Sequence, residues 1–486
     1  MLSILIFFPL LAAVITAISG ANAKKIALAA AIIEFGYSVC LFLRFVPSKG
    51  NQFTVNIAWI EQLGINYNIG LDGISLLLVM LTTFLVPLII LSSFSYEYKS
   101  PSLFYSLILT MQFALVGVFS AYDGFLFYIF WELALIPIYL ICLMWGGKDR
   151  LRITLKFFIY TLTGSLLMLV ALIYLWLQTP GSHSFDLQAL HNLSLTAKEQ
   201  SLIFWALFLA FAIKMPIFPF HTWQPDTYTD APASGTMLLA GIMLKMGIFG
   251  VIRWLLPIVP NAIIEWGNVA MILSVIGIVY ASLIAWFQKD FKRLIAYSSI
   301  AHVGLIAAGV FSLTYQGLHG SIIQMVSHGI NVVGLLMIAD MIERRTGTRE
   351  MDSLGGIRTI APAFATYFMI ILLASIALPL TNGFIGEFLL INGVFQYSHV
   401  LAAIAGLTII FGAVYMLNAY NKIALGESKK NKIVFASLTL SEKAVLIPLV
   451  IMIFWIGIYP KPLLDISGPA IEALRNSLGP IVTSLK

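Results

Sequence analysis

Residues 209–223 read LAFAIKMPIFPFHTW. The stretch begins as apolar helix, then carries a lysine, Lys214, two prolines, Pro216 and Pro219, and a histidine, His221. In lipid every backbone polar group needs an internal partner, so a cation beside two helix breakers is costly there. The surroundings show that lipid is the right frame. Of 486 residues, 60% are hydrophobic and 10% charged, with a mean hydropathy of +0.95, whereas soluble domains carry about 25% charged residues. Apolar runs long enough to cross a hydrocarbon layer of about 30 Å recur along the whole chain. The sequence therefore specifies an all-α integral membrane protein, and no stretch is long and polar enough for a soluble domain.

Counting those runs gives about fourteen transmembrane helices, near 2–19, 24–45, 71–95, 102–120, 123–146, 151–178, 200–228, 231–256, 262–287, 290–312, 317–342, 360–397, 400–424 and 443–460. The first run lacks a basic segment before it and is too long for a signal core, so it reads as helix 1. The outward connections 46–70 and 179–199 read as small caps, with a short hairpin at Phe53–Ile65, and residues 465–478 read as an interfacial helix. Lys24, Lys148, Arg152, Lys292, Arg344, Lys429, Lys430 and Lys432 fall on one side of the membrane, and far fewer basic residues, such as Arg44, Lys49, Lys198 and Arg253, on the other. The positive-inside rule turns the first side to the cytoplasm and both termini outward, into the periplasm of a bacterial inner membrane. This placement accounts for the net charge of +6 without a nucleic-acid partner. Cys40 and Cys142 lie in apolar segments without CxxC spacing and read as packing residues.

Few charges remain at helix centres: Glu132 in FYIFWELALIP, Lys214, Lys245 in AGIMLKMGIFG and Glu387 in LTNGFIGEFLL. At roughly 2.5–3.5 kcal/mol each, four of them cost on the order of 10 kcal/mol unless paired, neutralised or hydrated. A single buried pair is as readily structural as functional. Here the set also includes His302 and His328, each near the centre of its helix. Backbone breaks adjoin the charges twice. Pro216 and Pro219 cannot donate to the carbonyls of Ala212 and Met215 beside Lys214, and Pro379, Gly383 and Gly386 loosen the chain before Glu387. Broken helices in corresponding positions of two halves point to an ion site near the midplane. With helices 4–8 and 9–13 as halves, the broken helices 7 and 12 are each fourth of five, and a five-helix repeat must be inverted. The expected divisions are 1–101, 102–256 for the first repeat, 257–424 for the second, and 425–486.

Carboxylates, ammonium groups and imidazoles in a locally hydrated core can pass protons. Burial disfavours a charged form and an adjacent opposite charge favours it. Glu132 is therefore read as a movable counter-ion that loads and unloads Lys214, with Lys245, His302 and His328 carrying the proton laterally and Glu387 ending the relay. No P-loop, dinucleotide fingerprint or haem-binding histidine pair is present in the sequence, so a gradient or a partner subunit must supply the energy.

FAIKMPIFPFHTWQPDTYTDAPASGTMLLAGIMLKMG, QKDFKRLIAYSSIAHVG, FIGEF, FYIFWELALIPIYL and LDGISLLL stand in fixed order over nearly the whole chain. In them the sequence resembles the subunit M (chain 4) family, antiporter-like membrane subunits of the proton-pumping NADH:quinone oxidoreductase, respiratory complex I. The resemblance implies fourteen transmembrane helices, two inverted five-helix repeats and discontinuous helices 7 and 12. It also implies proton-relay roles for Glu132, Lys214, Lys245, His302, His328 and Glu387. Sister subunits carry lysine where this chain has Glu387. FMN, iron–sulfur clusters and quinone are implied in partner subunits and none in this chain, and the partners are other membrane-arm subunits, above all sister antiporter-like ones, within the bilayer. HTWQPDTYTDAP departs from the family pattern at Tyr228, where relatives often have histidine. Glu34 and Asp340 read as local or interface features, and Lys156 as a snorkelling residue on an access path. Two other readings remain open on these residues: a subunit of a multi-subunit sodium/proton antiporter or membrane-bound hydrogenase, and a non-translocating structural subunit.

Overall fold

Side-chain caps fix where many of the helices begin. Asp72 accepts from the backbone N–H groups of Ile74 and Ser75, and Asp123 from those of Phe125 and Leu126. Thr196 with Glu199 and Thr439 with Glu442 form reciprocal capping boxes. Each satisfies donors that a helix start leaves orphaned. The computed structural model describes residues 1–181, 183–427 and 435–479. Lys429, Lys430 and Lys432, assigned above to the inner side, lie outside the described residues.

The helices are α1 (Leu2–Ile18), α2 (Ala23–Arg44), α3 (Gly73–Ser92), α4 (Pro101–Ser120), α5 (Gly124–Leu133), α6 (Leu135–Trp145) and α7 (Arg150–Gln178), then α8 (Leu187–His191), α9 (Ala197–Lys214) and α10 (Gln224–Asp230). Next come α11 (Ala233–Leu238), α12 (Lys245–Gly250) and α13 (Leu256–Ile258), one rod joined by π-helical turns at Leu239–Met243 and Val251–Leu255. They are followed by α14 (Pro260–Trp286), α15 (Phe291–Phe311), α16 (Tyr315–Thr346), α17 (Ile357–Ile360), α18 (Pro362–Ser375), α19 (Asn382–Tyr397), α20 (His399–Ala424), α21 (Leu440–Ile458) and α22 (Lys461–Ser477). Among the described residues, 11 helices are long and apolar enough to cross a membrane. The expected fourteen would need α1 and two interrupted pairs, α9 with α10 and α18 with α19, to be counted as well.

Burial sorts the helices into layers. The α11–α13 rod, α15 and α16 are almost wholly enclosed. Peripheral helices turn Ile4, Leu11, Ile33, Val170, Ile410 and Ile451 outward, a surface that suits lipid rather than water. Cys142 is buried, but Cys40 is exposed, so only the first of the two is a packing residue. The hairpin is longer than the sequence suggested: β1 (Gln52–Ile60) pairs antiparallel with β2 (Ile65–Leu71), turning at Gly64 with φ +59. The tail helix likewise starts earlier, at Lys461.

Candidate functional site

Both expected breaks are present. α9 ends at Lys214, and helix resumes only at Gln224. The Ala212 carbonyl is not left free as the sequence suggested, because Ile217 N–H donates to it at 3.0 Å in a widened turn. The carbonyl released instead is that of Ile213, which accepts from Trp223 Nε1 at 3.0 Å. Between α18 and α19, Ala377 and Leu380 adopt positive φ of 58 and 73, and a Cβ on Gly383 would strike the Ala374 carbonyl. Pro379 has no N–H to give the Ser375 carbonyl four residues back. His302 Nε2 takes that place at 3.0 Å, and Asn331 Nδ2 donates to the Ala374 carbonyl at 3.0 Å.

Four of the six expected residues come together. Lys245 is fully buried, and its Nζ contacts the Ala240 carbonyl at 2.6 Å and His328 Nδ1 at 3.0 Å. The contact needs two helices to touch: a Cβ on Gly241 would meet Val333, and one on Gly329 would lie 2.9 Å from the Gly241 carbonyl. The π-helical turn Leu239–Met243, which leads directly into Lys245, is a second local distortion of the kind that marks functional sites. His328 Nε2 faces Ser299 Oγ at 3.1 Å, and the rings of His328 and His302 lie 5.9 Å apart. A cavity of about 20 Å³ bordered by both rings, Ser298, Ser299, Gln324 and Asn331 has room for about one water. His302 Nε2 is 3.2 Å from Glu387 Oε1, which also accepts from Gln324 Nε2 at 3.3 Å.

The hydrogen-bond directions constrain the protons. His302 Nδ1 faces the Ser298 carbonyl at 2.7 Å while Nε2 faces only oxygen acceptors, a set that the doubly protonated ring satisfies. The Lys245–His328 contact needs one proton between two nitrogens, held on either side.

Glu132 and Lys214 stand apart from this line. Among the described residues they make no ion pair within 4.0 Å: the Lys214 ammonium lies 5.1 Å from the Trp131 ring, and Glu132 Oε1 is buried without a hydrogen-bond partner. Glu132 sits just before a local irregularity at Ala134, where α5 runs into α6 within one span with Ala134 still at φ −66 and ψ −24. Pro137, which has no N–H for the Leu133 carbonyl, explains it. Lys156 is at the surface, bonded to the Thr222 carbonyl and Asp226. Asp340 belongs to a separate cluster with Tyr96 and Arg344. Glu34 is buried with both carboxylate oxygens unpartnered, and Tyr228 is buried with its hydroxyl unpartnered.

The profile described as "NADH:quinone oxidoreductase/Mrp antiporter, TM" matches residues 121–453, and that described as "NADH-ubiquinone oxidoreductase chain 4, amino terminus" matches residues 1–118. NADH-quinone oxidoreductase subunit M of Rickettsia conorii is 40% identical over 488 residues, covering 97% of this chain and 98% of the relative. The chain belongs to the NADH-quinone oxidoreductase subunit M family. A chain in the structure of respiratory complex I from Thermus thermophilus matches with a TM-score of 0.92 at 30% identity, covering 99% of this chain and 100% of that one. A chain of the Mrp complex from Dietzia sp. matches at 0.85 and 20% identity over 99% of both, which shows a shared fold.

This subunit M family member is thus a multi-pass membrane component of an oxidoreductase complex. Among its described residues no group of three or more His, Cys, Asp or Glu could hold a metal ion. Sequence reasoning did not single out Ser298, Ser299, Gln324, Asn331 or Ser375, although Ser298 and Ser299 precede His302 in SSIAH. Polar residues in an otherwise apolar helix were the available signal for all but the backbone contact of Ser375.

Proposed function

We propose that the chain moves protons through a mid-membrane line running Lys245, His328, His302, Glu387, supplied by Glu132 and Lys214. Quinone reduction in other subunits of the complex drives it, and FMN and iron–sulfur clusters belong there too. The observation that carries this reading is the buried Lys245–His328 contact with its single shared proton, followed by the His302–Glu387 pair across a water-sized gap. A scaffold subunit has no need for so many buried ionisable groups in register. Glu132 and Lys214, near each other but not in contact, fit a counter-ion at the released end of its motion.

The basic excess on one side supports a bacterial inner membrane with both termini in the periplasm. The two breaks support inverted repeats over 102–256 and 257–424, flanked by 1–101 and by 425–486. Partners are the other membrane-arm subunits, including sister antiporter-like ones.

The test uses the whole complex in sealed vesicles. Lys245→Ala is expected to leave electron transfer to an artificial acceptor intact and to lower the protons moved per electron. Normal pumping by that variant, and by Glu132→Ala, would leave only the scaffold role.

A further inference from the structure

Between α2 and α21 the bundle is split by a cleft of about 270 Å³, and every side chain that borders it is hydrophobic. At its mouth Leu43 is 76% and Trp455 38% exposed, whereas Leu81, Val326 and Ile330 at its floor are 5% exposed or less. The cleft therefore opens sideways through the apolar periphery, to which Ile33 and Ile451 of the same two helices also belong. Its walls are the later halves of α2 and α21, so it lies toward the end of the bundle that carries the β1–β2 hairpin and α22.

The floor backs onto the Lys245–His328 contact. Val326 and Ile330 stand two residues either side of His328, and two residues turn a helix by about 200°, so the cleft and the histidine lie on opposite sides of α16. Leu81 extends the floor to Gly329, where an added Cβ would lie 2.9 Å from a Leu81 methyl and from the Gly241 carbonyl. An apolar cavity of about 150 Å³ stays dry and takes up a hydrocarbon guest such as benzene. This cleft is larger, and beside lipid the guest at hand is an acyl chain. A partner for the polar end of that guest is present too. Arg44, one residue beyond Leu43 at the end of α2, is exposed and among the described residues meets no carboxylate, only the Met1 sulfur at 3.9 Å. Its planar fork matches phosphate oxygens. An apolar helix of a partner subunit would cover the mouth but leave this guanidinium without an anion.

We propose that the cleft is a binding site for one acyl chain of a phospholipid whose phosphate pairs with Arg44. The seated chain supplies the van der Waals contacts that Leu81, Val326 and Ile330 lack on that side, and so backs α16 where it closes on the α11–α13 rod. The binding stands independently of the proton-translocating reading, which gives the backed contact its purpose.

The test reconstitutes the whole complex in phosphatidylcholine vesicles containing phosphatidylglycerol with a photoactivatable diazirine part-way along one chain. After illumination, mass spectrometry is expected to find the lipid on the floor residues Leu81, Val326 and Ile330 as well as on the peripheral Ile33 and Ile451. Val39→Trp puts an indole into the cleft from its partly buried wall. It should lower floor labelling several-fold and leave Ile451 labelling and artificial-acceptor activity unchanged, which shows that the complex is assembled. Arg44→Gln should give the same pattern. Labelling confined to the periphery, as a partner helix over the mouth would produce, or floor labelling unchanged by Val39→Trp, would overturn the site. Floor labelling unchanged by Arg44→Gln would overturn the phosphate contact.

Discussion

Lys245 Nζ lies 3.0 Å from His328 Nδ1, a contact between residues 83 positions apart. Among the described residues each nitrogen is the other's only side-chain partner for the shared proton, and on the proposed route the two act as one unit. Lys245→Ala and His328→Ala should each slow proton transfer by about a hundredfold or more, and the double variant should be no slower than the worse single one. Multiplying effects in vesicle pumping assays would mean two independent carriers.

The same contact depends on a missing side chain. Gly329→Ala puts a Cβ against the Gly241 carbonyl and Leu81 and should cost about 1–3 kcal/mol as overpacking. Gly406→Ala, on α20 with nothing within 4 Å of the added carbon, should stabilise by about 0.4–1 kcal/mol. Thermal midpoints of the purified complex check both, and equal effects at the two glycines would refute the close approach.

At the opposite end of the bundle, Glu442 binds Arg345 at 2.7 Å and Arg344 at 3.1 Å and completes the cap of α21. Removing Glu442 leaves Arg345 without a carboxylate partner, while Arg344 keeps Asp340 at 3.0 Å. Glu442→Ala should cost about 3–5 kcal/mol, read as a loss of denaturant resistance. A change below about 1 kcal/mol would show that water replaces the carboxylate.

Asp123 caps α5 just outside the membrane-spanning part, and burial pushes its carboxyl up to about 6, against the pull of backbone N–H groups from Leu126, Asn66 and Phe125. A folded-state pKa above the unfolded value means that the folded chain binds the extra proton between about pH 4 and 6. Stability from this group is therefore full below about pH 4 and lost as pH rises to about 6. Asp123→Asn keeps a good capping residue and should flatten that dependence. Parallel melting curves for wild type and variant from pH 4 to 7 would contradict it.

How much of this was legible in the sequence depends on what each feature rests on. Lys214 with Pro216 and Pro219, and Glu387 with Pro379, announce themselves because lipid makes charges and breaks conspicuous within one run. Pro137 passed unnoticed because it stands five residues from Glu132 and reads as an ordinary kink. That His302 bonds the carbonyl Pro379 orphans joins residues on different helices, and no local pattern encodes it. The separation of Glu132 from Lys214 is likewise a property of packing, since the motifs give identities and not distances. The π-helical turns beside Lys245 and Arg253 left no recognisable signature in AGIMLKMGIFG or its continuation.

Lys245 lies mid-way along the α11–α13 rod, and His302, His328 and Glu387 lie inside α15, α16 and α19; their contacts run from helix to helix rather than along any one of them. Charge moving sideways at constant depth does no work against the membrane voltage, which amounts to about 2.3 kcal/mol per elementary charge per 100 mV across the full thickness. On the proposed route the buried line is thus an equipotential bus. All of the electrical load falls on the short vertical segments at its ends, and it is there that energy from the rest of the complex must be delivered.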